Sequence, residues 1–257
     1  MTPVSRDLDE TRQILTEVPV GKNPHSIVYD GQYLFVTNFG SNSVSKIDPL
    51  NGNVLATIPV GTKPSGIAYN PNYGTVWVAN SGEGTVSVFY HNATSVSGTY
   101  TVGTNPRWLA CETFWLWVTD ADSHSVFRMG AWVGGTVNRT IDIGAGTEPQ
   151  AILWDYHHMW VANTGSNSVS KIVTETGTLT TVDLPAGTNP AKIIFNGSHI
   201  FVILTNGTIS RIDPYTNEIV TVPGHPLGNS QVSSGAICFD GVCYWTMVDG
   251  YLYVTPI

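Results

Sequence analysis

PVGKNPHSIVYDGQYLFVTNFGSNSVSKIDPLNGNVLATI, from Pro19 to Ile58, decides the fold, because the rest of the chain repeats it. The same frame returns as PVGTKPSGIAY from Pro59, TVGTNPRWLA from Thr101, GAGTEPQAIL from Gly144 and PAGTNPAKII from Pro185. Its anchoring prolines, Pro24, Pro64, Pro106, Pro149 and Pro190, stand 40, 42, 43 and 41 residues apart. A sixth, degenerate frame is legible in SSGAICFDGVCYWTM, where Ser234 takes the proline's place. The octapeptide GSNSVSKI occurs twice unchanged, at Gly40 to Ile47 and Gly165 to Ile172, for which duplication is the simplest cause. A fixed period of this length is the mark of a repeat architecture.

Within each repeat four short apolar segments alternate with turn residues, as SIVY, YLFVT, SVSKI and VLATI do in the first. That pattern predicts a four-stranded antiparallel meander. A lone meander cannot bury both faces, so such units stack around an axis. An aromatic residue recurs in the second strand of every repeat, as Phe35, Trp77, Trp117, Trp160, Phe201 and Trp245, and reads as the packing group between neighbouring sheets. The prediction is an all-β chain forming a single six-bladed β-propeller. The last repeat supplies only three strands, near residues 236–239, 243–248 and 251–255. ILTEVPVG, near the start, resembles the closing strand VLATIPVG and is expected to complete the sixth blade. The expected organisation is an N-terminal arm over residues 1–10 and the propeller over 11–257.

Composition narrows the function. Charged residues are 12% of the chain, the net charge is −8 and the pI about 5.2, so there is no basic stripe for nucleic acid or anionic lipid. No apolar run is long enough to span a membrane, and the opening MTPVSRDLDETRQ lacks the apolar core of a signal peptide. The expected location is extracellular or on a virion surface. Three cysteines do not make a disulfide framework. In CFDGVC, an Asp240-Gly241 turn would set Cys238 opposite Cys243, which admits either a cross-strand bridge or two small buried thiols. Cys111 reads as buried and inert.

Val36-Thr37-Asn38, Val78-Ala79-Asn80, Val118-Thr119-Asp120 and Val161-Ala162-Asn163 each follow a Val-Gly-x-x-Pro-like element. In these residues the units resemble the YVTN β-propeller repeats of bacterial and archaeal surface proteins, over nearly the whole chain. The resemblance implies the propeller fold and puts the Val-Gly-x-x-Pro loop on the face where a central channel opens. The last two blades depart from it, with IFVILTNGTISRI and WTMVDGYLYV replacing the Asn-containing loop by short Asn-Gly and Asp-Gly turns.

Two groups of candidate ligand-binding residues follow. After each anchoring proline come His25, Ser65, Arg107, Gln150, Ala191 and, in the sixth frame, Gly235, chemically varied residues at a regular place. Such variation suits a specificity-determining ring, and equally a surface position that drifts freely. The second group is Asn38, Asn80, Asp120 and Asn163, whose side chains either bond loop amides or reach a ligand. Asp122, His124 and Glu83 add polarity to the same loops. No calcium-binding or zinc-site spacing occurs, and no nucleophile elbow or phosphate loop, so neither metal, cofactor nor catalytic residue is assigned.

The leading functional expectation is a non-enzymatic binding or structural module on a virion or microbial cell surface. It would contact a protein or glycan partner, other virion proteins among them, without nucleic acid or membrane insertion. The alternative is an enzyme that resembles the streptogramin-lyase type of propeller, which uses a channel-mouth histidine with a divalent metal. There His25 would be the base, with Arg107 or Gln150 orienting a carbonyl, although the matching second His and Glu are missing.

Overall fold

The computed structural model describes residues 18–222 and, beyond them, the backbone of three strands. The first sheet is β1 (Pro24–Tyr29), β2 (Leu34–Asn38), β3 (Ser43–Ile47) and β4 (Val54–Pro59), and the second β5 (Pro64–Asn70), β6 (Thr75–Asn80), β7 (Thr85–Tyr90) and β8 (Gly98–Thr101). The third is β9 (Pro106–Glu112), β10 (Trp115–Asp120), β11 (Ser125–Gly130) and β12 (Val137–Asp142). The fourth is β13 (Pro149–Trp154), β14 (His158–Asn163), β15 (Ser168–Val173) and β16 (Leu179–Asp183). The fifth is β17 (Pro190–Phe195), β18 (Ile200–Leu204), β19 (Ile209–Ile212) and β20 (Ile219–Val222). The last three strands are β21 (Ile237–Phe239), β22 (Cys243–Val248) and β23 (Tyr251–Pro256).

Each set is an antiparallel meander in chain order. The described residues thus hold five four-stranded sheets and no helix, a propeller-like all-β architecture. Six complete blades were expected. The last sheet has three strands, and the segment around Ile14 expected to complete it lies outside the described residues, as do residues 1–10. The opposed placement of Cys238 and Cys243 is corrected. Cys238 pairs with Trp245 and Phe239 with Tyr244, so the two cysteines do not stand directly opposite each other.

Packing between sheets follows the periodic aromatics. Phe35, Trp77, Trp117 and Trp160 are fully buried, whereas Phe201 is half-buried. Each of the four joins the core of the next sheet: Phe35 packs with Ile67, Val76 and Phe89, Trp77 with Leu109, Leu116 and Val118. Trp117 lies with Ile152, Met159 and Val161, and Trp160 with Ile193, Ile200 and Val202. The indole N–H groups of the three tryptophans also find acceptors, as buried donors usually do. Trp77 donates to Thr75 Oγ1 at 3.1 Å, Trp117 to Glu112 Oε2 at 2.7 Å and Trp160 to Asp155 Oδ2 at 2.7 Å. A cation on the third strand sits directly across from three of the rings, pairing Lys46 with Phe35, Arg128 with Trp117 and Lys171 with Trp160. Lys171 Nζ is 5.2 Å from the Trp160 ring centre, within cation–π range.

The first strands run side by side, β1 beside β5, β5 beside β9, β9 beside β13, β13 beside β17 and β17 beside β21. Hydroxyls lace them together. Thr37 Oγ1 donates to Ser65 O of the next sheet at 2.9 Å, and Thr119 Oγ1 to Gln150 O at 3.1 Å. Where Ala79 stands in place of that threonine, Ser65 Oγ makes the link to Arg107 O at 2.9 Å. Where Ala162 does, Thr164 Oγ1 reaches Pro190 O at 2.7 Å. Gly66 lies at the same seam, where a Cβ would come 2.5 Å from Arg107 O, so no side chain fits.

Candidate functional site at the mouth of the first strands

A register break follows the anchoring proline in all five sheets. Pro24 pairs with Asn38 but Ser26 with Thr37, leaving His25 as the extra residue, and the breaks at Pro64, Pro106, Pro149 and Pro190 leave the same surplus. These are β-bulges, which take a residue out of the ladder and re-aim its side chain. His25, Ser65, Arg107, Gln150 and Ala191 all lie in them. The bulge gives the variable position after the proline a physical meaning.

The bulges treat the candidates differently. Ser65 is buried, and its hydroxyl is used on Arg107 O, so it presents nothing to a ligand. Arg107 and Gln150 together line a cavity of about 450 Å³ with Ala121, Asp122, His124 and Glu148. His25 turns inward. Its ring lies 5.9 Å from that of Phe39 and 5.9 Å from that of Trp108, centre to centre. Gly235 lies outside the described residues.

Trp108 and Lys192, the residues one step further along β9 and β17, complete the cluster. Lys192 Nζ sits 3.6 Å from the centre of the Trp108 ring. His25, Trp108 and Lys192 come from the first, third and fifth sheets, so alternate first strands meet here. The cluster is electropositive. Burial pushes the Lys192 ammonium down to about 7. Burial also holds His25 below the usual imidazole range, with Lys192 and Arg107 adding repulsion, against a hydrogen bond that the ring donates to the Ser65 backbone. His25 Nδ1 and Arg107 Nε are shielded from solvent without a hydrogen-bond partner. Among the described residues no carboxylate lies within ion-pair distance of Arg107 or Lys192; the ion pairs present there are His91 with Asp30 and His158 with Asp155.

The second group of candidates belongs to the frame. Asn38, Asn80, Asp120 and Asn163 are fully buried, which corrects the reading of them as ligand-contacting residues. Each asparagine donates to two hydroxyls on the third strand: Asn38 to Ser43 at 3.1 Å and Ser45 at 3.0 Å, Asn80 to Thr85 and Ser87, both at 2.9 Å. Asn163 does the same to Ser168 at 3.1 Å and Ser170 at 2.8 Å. Their partners are hydroxyls, not the loop amides expected. Loop amides go instead to Ser41, which accepts from Lys22 N at 3.1 Å, and to Glu83, which accepts from Thr62 N at 3.1 Å. Asp120 does that work itself, accepting from Thr104 N at 2.7 Å, Asn105 N at 2.8 Å and Ser123 N at 2.9 Å. Burial raises the Asp120 carboxyl, but the bonds from Ser123, Asn105 and Thr104 outweigh it and hold the group below the usual carboxylate range. Gly103 is required beside it, since a Cβ there would fall 2.1 Å from Asp120 Oδ2.

The far end of the first strands is different. A cavity of about 500 Å³ opens there, with Leu109, Cys111, Ile152, Trp154 and Tyr156 in its wall. Cys111 is a free thiol that burial pushes up to about 12, so it stays protonated and unreactive near neutral pH. Among the described residues no group of three or more His, Cys, Asp or Glu side chains could hold a metal ion.

No family model and no curated protein matches the chain. Solved structures do. A catalytically inactive virginiamycin B lyase from Staphylococcus aureus, solved with quinupristin, aligns over 92% of this chain and 82% of its own, at 18% identity and a TM-score of 0.79. Hydrazine synthase from Kuenenia stuttgartiensis aligns over 90% of this chain and 76% of its own, at 18% identity and a TM-score of 0.75. The computationally designed Ika8 protein covers 91% of this chain and 71% of its own, at 17% identity and a TM-score of 0.69. At such identities the likeness is one of fold: a propeller-like all-β chain, here with a cationic, aromatic cluster between its first strands.

Proposed function

We propose that this chain is a non-enzymatic binding module, a closed six-bladed ring of YVTN-type repeats that takes its partner at the mouth holding His25, Arg107, Trp108 and Lys192. The observation that carries the reading is the meeting of His25, Trp108 and Lys192 from alternate sheets, with buried polar atoms that no neighbour satisfies. The frame asparagines spend their amide N–H groups on internal hydroxyls and leave only a buried amide oxygen unpartnered, whereas at the mouth a cationic donor, Arg107 Nε–H, is left open. The extracellular or virion-surface location rests on a chain only 12% charged and rich in Ser, Thr and Asn. A glycan or protein at such a surface is the partner.

Glycan arrays and cell-binding assays with the full chain test this, together with Trp108→Ala. Saturable binding that Trp108→Ala abolishes while the fold persists supports the mouth as the site. Binding that survives Trp108→Ala moves the site elsewhere. A mass-spectrometric inventory of purified particles that lacks the protein removes the virion assignment.

Likeness to virginiamycin B lyase favours a second reading, a lyase with His25 as base and Arg107 or Gln150 orienting a carbonyl. The surroundings of His25 do not suit the divalent metal that such an enzyme implies. They are Phe39, Trp108, Lys192 and Arg107, two rings and two cations, where a hard cation needs carboxylate oxygens. Turnover of a streptogramin B substrate that His25→Ala abolishes would establish this reading over the first.

A further inference from the structure

We infer that the mouth cluster is an oxyanion site, in which Arg107, Lys192 and His25 hold a carboxylate, sulfate or phosphate group of the ligand against the wall formed by Trp108. The inference rests on the mouth being the binding site and names the chemistry that it selects.

Three features converge on an anion. Arg107 carries a guanidinium, and its Nε–H points at no acceptor among the described residues. A buried donor left unpaired is costly, and a charged one more so, unless a ligand supplies the missing acceptor. His25 Nδ1 is unpartnered in the same space. Finally, the amine of Lys192 is held on the Trp108 face at 3.6 Å with no carboxylate in ion-pair range among the described residues.

Among the described residues no neighbour of this group offers an anion within ion-pair distance. His25 comes from β1, Arg107 and Trp108 from β9, Gln150 from β13 and Lys192 from β17. The hydroxyl of Ser65 on β5 is already bonded to the backbone of β9. Asp122 and Glu148 share a cavity wall with Arg107 and Gln150, and neither is within ion-pair distance of Arg107. That polar cavity has room for the uncharged remainder of a ligand whose charged group lies on the cluster.

Charge at the site depends on pH in a fixed sense. With Lys192 pushed down to about 7 and His25 lowered as well, both gain charge as pH falls and lose it as pH rises. A bound oxyanion favours the protonated forms, so binding takes up protons and weakens at alkaline pH. The sign for stability is opposite. A lysine whose folded pKa is depressed binds fewer protons than the unfolded chain between about 7 and its ordinary value, so the folded state gains stability as pH rises through that window. Removing the amine should therefore stabilise the protein near neutral pH while costing it the ligand.

The test is isothermal titration of the full chain with inorganic sulfate, inorganic phosphate, glucuronate and, as the uncharged control, glucose, at pH 6 and pH 8.5. Expected are saturable binding of at least one oxyanion at pH 6, none of glucose, and affinity at pH 8.5 at least tenfold weaker. Sulfate or phosphate alone points to a free ion or an ester group, and glucuronate to an acidic sugar. Lys192→Met and Arg107→Met should each weaken binding at least tenfold, and Lys192→Met should melt several degrees above the parent chain at pH 7. No oxyanion binding at pH 6, equal binding of glucose, or undiminished binding by a folded Lys192→Met chain overturns the inference. Partner binding that Trp108→Ala abolishes but no oxyanion competes would overturn this inference and leave the proposed function standing. Oxyanion binding without any glycan, protein or cell partner would do the reverse.

Discussion

The first and fourth sheets share the octapeptide GSNSVSKI and put it to the same use, yet they differ completely where their first strands begin. In both, the second-strand asparagine donates to two serines, and the lysine sits across from the aromatic wall, Lys46 from Phe35 and Lys171 from Trp160. After the proline the two diverge, His25-Ser26 against Gln150-Ala151. Where the repeat keeps its period, the side chains go into packing and internal hydrogen bonds, and what is left unpartnered is a neutral amide oxygen on Asn38 and Asn163. Where the period breaks, the unpartnered atoms are ring and guanidinium nitrogens, His25 Nδ1 and Arg107 Nε. The bulges of the first strands are the place to look for function, and the walls between sheets the place to look for stability.

Removing a wall should have the largest effect on folding. Trp160→Ala leaves a cavity between the fourth and fifth sheets, strips Lys171 of its ring and Asp155 of a donor, and should cost about 3–5 kcal/mol in urea unfolding. Asn163→Ala comes next. It leaves Ser168 and Ser170 in the core without their donor and should cost about 1–3 kcal/mol in the same assay. An equal loss from Asn38→Ala would show that the two octapeptides are energetically equivalent, and a much smaller one would break the comparison.

Asp120→Asn probes the one motif position that uses a carboxylate on loop amides. At pH 7 it should destabilise the chain by about 1–2 kcal/mol, the usual gap between charged and neutral acceptors. The carboxyl lies below its ordinary range when folded, so its advantage is present above the unfolded pKa and vanishes as pH falls through the folded value. Parent and variant should therefore converge as pH falls below the ordinary carboxylate range, which chemical denaturation over a descending pH series will show. Thr119→Val, which cuts the lace from the third sheet to Gln150 O, should cost about 1 kcal/mol. The smallest effect belongs to the mouth itself, where Gln150→Ala should leave stability within about 0.5 kcal/mol, by thermal melting, since the residue is half-buried and lines a cavity.

Most of the sheet architecture was legible from the chain alone, because prolines, aromatics and the Val-Thr/Ala-Asn triplet recur with one period. Strand order and the three strands of the last sheet follow from the same alternation. The site was legible only in part. The position after the proline was visible as variable, but the partners of His25 were not, since Trp108 and Lys192 lie in other repeats and meet it only after the sheets pack. A signal existed one residue further on, where Ser26, Gly66 and Ala151 are small and Trp108 and Lys192 are long. The burial of the asparagines was hidden for a different reason: Asn in a turn-rich stretch looks like loop chemistry, while its serine partners lie on the adjoining strand. In CFDGVC the Asp-Gly pair reads as a turn that would set the cysteines opposite each other, and the observed register sets Cys238 against Trp245 instead.

The surplus residue after each proline has a consequence for change over generations. Because that residue forms no rung of the ladder, its identity is uncoupled from the pairing on either side, and a histidine, an arginine, a glutamine or an alanine can occupy it on one unchanged scaffold. Recognition can be rewritten there one letter at a time, with the folding instructions kept elsewhere.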